Sequence, residues 1–260
     1  MKTKTLLFQI ILSAGILGSS CEDLWNRCAD GNGNIVTRSM NLDDFNSIQI
    51  KGSFDVEVDT GQVPSADIEI DENLLDQIVT HVTGSTLYIE TRDQNCLNPT
   101  QTIYFHITAP AVNEIALYGS GNVSCDDIEI ADFKVYLEGS GNIECNNIVT
   151  EYTTLNLEGS GTISCDLNSG DLNSIIEGSG NIVLTGTTVN AGMEILGSGS
   201  IEGSDMISDT CTAYLSGSGT IETYVNDFLD VTIIGSGIIY YSGNPVVQSY
   251  ISGSGQVIKQ

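Results

Sequence analysis

Cysteine and glutamate recur at fixed spacing in the second half of this 260-residue chain, and both residue types can bind metal. Cys125, Cys145 and Cys165 hold one place in three successive repeats. Zinc requires four ligands around a tetrahedron, which a linear stack does not offer. Stacked side chains that point the same way also have poor geometry for a bridge. The three therefore read as buried thiols, and so does Cys211, which alternation puts on the face of Ala213 and Leu215. Glu138, Glu158 and Glu177 form a second row, each just before a glycine. Carboxylate oxygens suit calcium, but like charges side by side repel. The calcium-binding pattern Gly-Gly-x-Gly-x-Asp is missing, so these glutamates read as an exposed stripe and only weakly as a metal site. Cys28 and Cys96 lie in polar, loop-like stretches and are the expected disulfide of an exported chain. His81 and His106 are the only histidines, and both fall in strand-like segments. Neither a phosphate-binding glycine loop nor a Ser/His/Asp arrangement stands out. No catalytic residue is assigned and no cofactor is expected.

The elements that must position these rows announce themselves by repetition. Gly-Ser-Gly begins at Gly119, Gly139, Gly159, Gly178, Gly197, Gly217, Gly235 and Gly253. Two residues before each copy stands an aliphatic residue: Leu117, Leu137, Leu157, Ile176, Ile195, Leu215, Ile233 and Ile251. Two residues after each stands a β-branched one: Val123, Ile143, Ile163, Ile182, Ile201, Ile221, Ile239 and Val257. Between them polar and apolar residues alternate, the period of a strand with one buried face. One copy of about 19 residues cannot bury its apolar face alone, whereas stacked copies bury continuous columns. The pattern predicts an all-β, right-handed parallel β-helix over residues 119–260, its coils about 4.8 Å apart. A propeller blade would need about 40 residues per repeat. The asparagines at 122, 142 and 181 and the central serines from Ser120 to Ser254 read as hydrogen-bonded turn ladders.

The N-terminus reads as an export signal. Lys2 and Lys4 precede an apolar run from Leu6 to Leu17, too short to span a bilayer, and then Gly18-Ser19-Ser20. Leu17-Gly18-Ser19-Ser20-Cys21 resembles a relaxed bacterial lipobox, which implies a lipid on Cys21 and anchoring to a membrane. Residues 1–20 are thus expected to be removed and residues 21–40 to form a linker. The chain carries −26, and removing residues 1–20 takes away two lysines and no acid, leaving −28. A surface this acidic argues against nucleic acid, whose phosphates need Lys and Arg, and against acidic polysaccharides.

Residues 41–118 read as a mainly β head with strands near 45–50, 54–58, 67–70, 86–91 and 101–108, and a short helix from Asp71. Phe45-Asn46-Ser47-Ile48, Gly52-Ser53-Phe54-Asp55-Val56, Asn73-Leu74-Leu75, Gly84-Ser85-Thr86-Leu87-Tyr88-Ile89 and the repeated Gly-Ser-Gly carry a resemblance over residues 41–257. In these motifs the chain resembles the head GIN domain of auto-transporter adhesins. The resemblance implies an adhesive or structural surface module with no catalytic residues to carry over. The expectation is a non-catalytic lipoprotein of the outer membrane, facing the cell surface and binding a protein or glycan. The alternative is a β-helix enzyme of the glycoside hydrolase type, which needs only a carboxylate pair. Lyases are disfavoured, because residues 119–260 hold only Lys134 and Lys259 as bases.

Overall fold

A computed structural model describes residues 28–260; the export signal and Cys21 lie outside the described residues. The head contains β1 (Ala29–Asp30), β2 (Ile35–Asn41), β3 (Ser47–Gly52), β4 (Asp55–Thr60), β5 (Ser65–Asp71), β6 (Ile78–Thr83), β7 (Thr86–Thr91), β8 (Leu97–Asn98) and β9 (Tyr104–Ala109). Short 3-10 turns cover Glu72–Gln77 and Arg92–Gln94. The regular repeat follows in β10 (Glu114–Gly119), β11 (Asn122–Asp126), β12 (Glu129–Gly139), β13 (Asn142–Gly159), β14 (Thr162–Gly178), β15 (Asn181–Gly197), β16 (Ser200–Gly217) and β17 (Thr220–Gly235). The tail is β18 (Ile238–Gly243), β19 (Val246–Gly253) and β20 (Gln256–Lys259).

From β10 onward every pairing is parallel and one coil apart, as in a β-solenoid. The 18 residues of β13 show how one coil is built. Ile143, Cys145, Ile148, Thr153, Leu155 and Leu157 are buried, and the alternation breaks at Asn146–Asn147 and again at Glu151–Tyr152. Two bends plus the glycine corner give three faces around a filled core. The aliphatic columns predicted from sequence are buried from Leu117 to Ile233 and from Val123 to Ile239. Each such side chain contributes about 1.5–3 kcal/mol by leaving water.

The corner explains the glycines. Gly139 has φ +132°, and a Cβ there would sit 2.2 Å from the carbonyl oxygen of Gly119 in the coil below. That oxygen accepts the N–H groups of Ser140 (3.0 Å) and Gly141 (3.2 Å), and Asn142 N–H donates to Gly121 (3.0 Å). Coils therefore approach backbone to backbone at a point no side chain fits. The serine between the glycines gives its backbone N–H to this ladder, and its hydroxyl pairs with another at Ser53–Ser120 and Ser236–Ser254. The second corner uses Asp127 and Asn147, both at φ 56°, a left-handed conformation that short polar side chains tolerate.

The head belongs to the same stack. β3 lies between β7 and β10, and β4 lies between β9 and β11. Gly119 is in register with Gly52, Leu117 with Ile50, and Ile50 with Ile89. The columns thus continue across the boundary drawn at 118/119, but in the spatial order 86–109, 47–60, 114–126. The chain reaches the lowest coil by leaving the stack after β4. That coil is then closed from below: β5 pairs antiparallel with β9, β2 with β5, and β6 with β7. The linker expected over residues 21–40 is corrected for its described part, which contains β1 and β2. Val36 and Met40 pack on the core while β2 runs along β5, so burial holds this segment in place.

Candidate functional site

Asp71 organises the closed end. It is fully buried and accepts hydrogen bonds from Gly33 N–H (2.7 Å), Thr100 N–H (2.8 Å) and Thr100 Oγ1 (2.8 Å). Burial works to raise its pKa, but the bonds from Thr100 and Gly33 outweigh it and hold the carboxyl below its ordinary value. Beside it the structure joins Cys28 to Cys96, and β1 pairs with β8 next to the bridge. These are structural devices.

The chemistry on the surface concentrates where head meets array, on the face that follows the glycine corner. Here β9, β4, β11 and the start of β13 lie side by side, and their outward residues form rows: Tyr104, Asp55, Asn122, Asn142 and, next to them, His106, Glu57, Ser124, Glu144. Asn142 Nδ2 donates to Asn122 Oδ1 (2.8 Å), and Asn122 Nδ2 donates to Asp55 Oδ1 (2.7 Å). This orients both amides, since each spends one N–H on the neighbour's oxygen and, among the described residues, keeps its second N–H free. Tyr104 Oη donates to Glu57, and His106 Nε2 meets Asp59 at 2.8 Å. Burial and the bond to Glu57 push the Tyr104 phenol up to about 12, so it stays a donor at neutral pH. The bond to Asp59 likewise raises His106. The row lines a groove of about 480 Å³ bounded by Asp55, Tyr104, Asn122, Ser124, Asn142 and Glu144. Fixed amides, a phenol edge and carboxylate acceptors are groups that bind hydroxyls. Asp55 and Glu57 each spend an oxygen on the wall itself.

Sequence reasoning left Tyr104 and His106 as plain strand residues and treated Asn122 and Asn142 as turn ladder. The amide-to-amide bond is such a ladder; its continuation onto Asp55 of the head was missed. The available signal was alternation, which turns Tyr104, His106, Asp55, Glu57 and Asp59 outward in two strands.

The other expected site residues fall elsewhere. Glu138, Glu158 and Glu177 stand in one row in register and are exposed. They do not converge: among the described residues no three His, Cys, Asp or Glu side chains gather as a metal site. Glu138 instead accepts from Tyr136 Oη (3.3 Å). Tyr136 packs on Tyr118 (ring centroids 5.3 Å), and Lys51 Nζ lies 5.9 Å above Tyr118. Cys125, Cys145, Cys165 and Cys211 are free and buried. Cys125 and Cys145 bring their sulfurs to 3.0 Å. The hydrogen bonds of Cys145 with Cys125 and Cys165, together with burial, hold its thiol protonated. Burial pushes Cys211 up to about 12. Thiols in this state are poor nucleophiles.

A family model described as "Putative auto-transporter adhesin, head GIN domain" matches residues 44–245. Among solved structures, a "putative lipid binding protein" from Parabacteroides distasonis is 31% identical, with a TM-score of 0.85, covering 89% of this chain and 98% of that one. A "putative adhesin" from Parabacteroides merdae is 24% identical, with a TM-score of 0.84 and the same coverage of 89% and 98%. A "putative adhesin" from Bacteroides fragilis shares the fold at 20% identity and a TM-score of 0.69, covering 89% and 99%. No curated protein matches the chain.

Proposed function

The chain belongs to the family described as "Putative auto-transporter adhesin, head GIN domain", and from that membership we propose that it is a non-catalytic, adhesin-like protein of the cell surface that holds a neutral glycan in the amide-lined groove. The observation that carries the reading is the continuous row Asn142–Asn122–Asp55 beside Tyr104. Hydroxyl groups need oriented donors and acceptors on a rigid frame, and two stacked coils plus the head supply that frame. The surrounding acids repel anionic partners, which leaves uncharged sugars as the favoured class. In the same reading Cys21 carries the lipid that anchors the protein to the outer membrane. The name of the P. distasonis relative points to a lipid ligand. In this chain the coil interior is filled by the Leu and Ile columns, so a lipid would have to lie on the outside.

The test is a glycan array probed with purified protein carrying Cys21→Ala, followed by titration of any bound glycan. Asn122→Ala with Asn142→Ala should weaken binding about tenfold or more, a change of about 1.4 kcal/mol. Absence of any bound glycan, or equal binding by the double variant, would sink the groove assignment. Release of reducing sugar from a bound glycan would instead favour the glycoside hydrolase alternative. Proteolysis of intact, sealed cells tests the location: the protein should be cut, and Cys21→Ala should free it from the membrane.

A further inference from the structure

The two ends of the stack are unlike. At the head, β5 and β6 cover the outer edges of β9 and β7. At the tail, among the described residues, β19 pairs only with β17 and β20 only with β18. Their outer edges present unpaired N–H and C=O groups. The core is open there as well. Val247 and Ile251 are in register with Leu229 and Ile233, each 0% exposed, yet they are 37% and 41% exposed, and among the described residues no coil lies above them. Val246 and Tyr250 beside them are 69% and 64% exposed.

Charge marks the same end. All 34 acids of the chain lie at or before Asp230, and residues 231–260 carry Lys259 as their single charged side chain. In a chain of net charge −26, close approach of two copies is opposed over most of the surface. The tail is the region from which that repulsion is missing, and it coincides with the open edge and the open core. The uncovered last coil and the missing charge therefore point to one occupant, a surface as apolar and as strand-like as the tail itself.

We propose that the chain self-associates tail to tail, the last coil of one copy on the last coil of another across a two-fold axis, with β19 pairing antiparallel to its counterpart. Head-to-tail stacking is disfavoured because antiparallel β5, β2 and β6 stand below the lowest coil, so a parallel coil does not continue the core columns there. A two-fold axis lets one strand edge satisfy another identical edge and closes the assembly at two copies.

Sedimentation equilibrium on protein carrying Cys21→Ala is the first measurement, and a mass of two chains is the expected result. Val247→Asp with Ile251→Asp should return it to one chain. Amide exchange on the protein without tail substitutions gives a second readout that does not depend on how that variant folds. Protection of Val246–Gly253 amides should rise with protein concentration. A single chain at every concentration, a dimer whose tail amides exchange regardless of concentration, or a growing filament would each overturn the proposal. Glycan binding by the groove is unaffected by any of these outcomes, so the two readings fail separately.

Discussion

Head and array share one register and one set of core columns, yet they are held by different physics. In the array each coil meets only the coils above and below, and the same contact recurs: an aliphatic column, a β-branched column and a glycine corner stacked on a glycine corner. Stability there is a sum of near-identical neighbour terms. In the head nothing repeats. Residues 86–109 lie beneath residues 47–60, antiparallel strands shut the lower edge, and Asp71 and a disulfide tie segments far apart in the chain. Repetition makes an array that could be extended, and singular long-range contacts make an end that stops it.

The largest way to break this contrast is to remove the disulfide. Cys28→Ser with Cys96→Ser opens a loop of 68 residues, and the head should lose up to about 4 kcal/mol. Hydrogen exchange should rise in β1, β2 and β5 while the array corners stay protected; equal loss across the molecule would mean that head and array are one cooperative unit. Next comes Gly139→Ala. The added Cβ meets backbone at 2.2 Å and needs a φ of +132°, so about 3 kcal/mol or more should be lost in chemical denaturation. Gly84→Ala sharpens the comparison. Gly84 has φ +65° but open space around its missing Cβ, so the loss should be only about 1 kcal/mol. If the two alanines cost the same, close stacking is not what the array glycines are for. The smallest effect is acidification. Asp71 has a lowered pKa, so its stabilisation is present above the ordinary carboxylate range and is lost as pH falls through the lowered value. The amides of Gly33 and Thr100 should then exchange faster before that of Ser140 does.

The same contrast decides what could be read without coordinates. Leu117 to Ile233 announce their burial because each sits at a fixed offset from a glycine, and the neighbour that covers each is one period away. Alternation in the head tells which way Ile50 or Phe105 points, but not that residues 86–109 pass beneath residues 47–60; no local signal encodes that threading. β2 was hidden for the same reason, since its partner β5 lies beyond two intervening strands, β3 and β4. The groove inherits both difficulties. Asn122 and Asn142 come from the legible side, Asp55 and Tyr104 from the illegible one, and their meeting depends on β4 lying between β9 and β11.

The glycine corner has a consequence of scale. Every coil adds one strand spacing of about 4.8 Å without altering the capped base or the open tip. The height of the tip above the base is therefore a count written in the sequence as copies of Gly-Ser-Gly. Insertion or loss of one whole copy would lengthen or shorten the molecule by a single step and leave the groove at its foot unchanged. A fractional change would throw one corner out of line with the next. Such a molecule behaves as a graduated spacer, its reach adjustable in whole units.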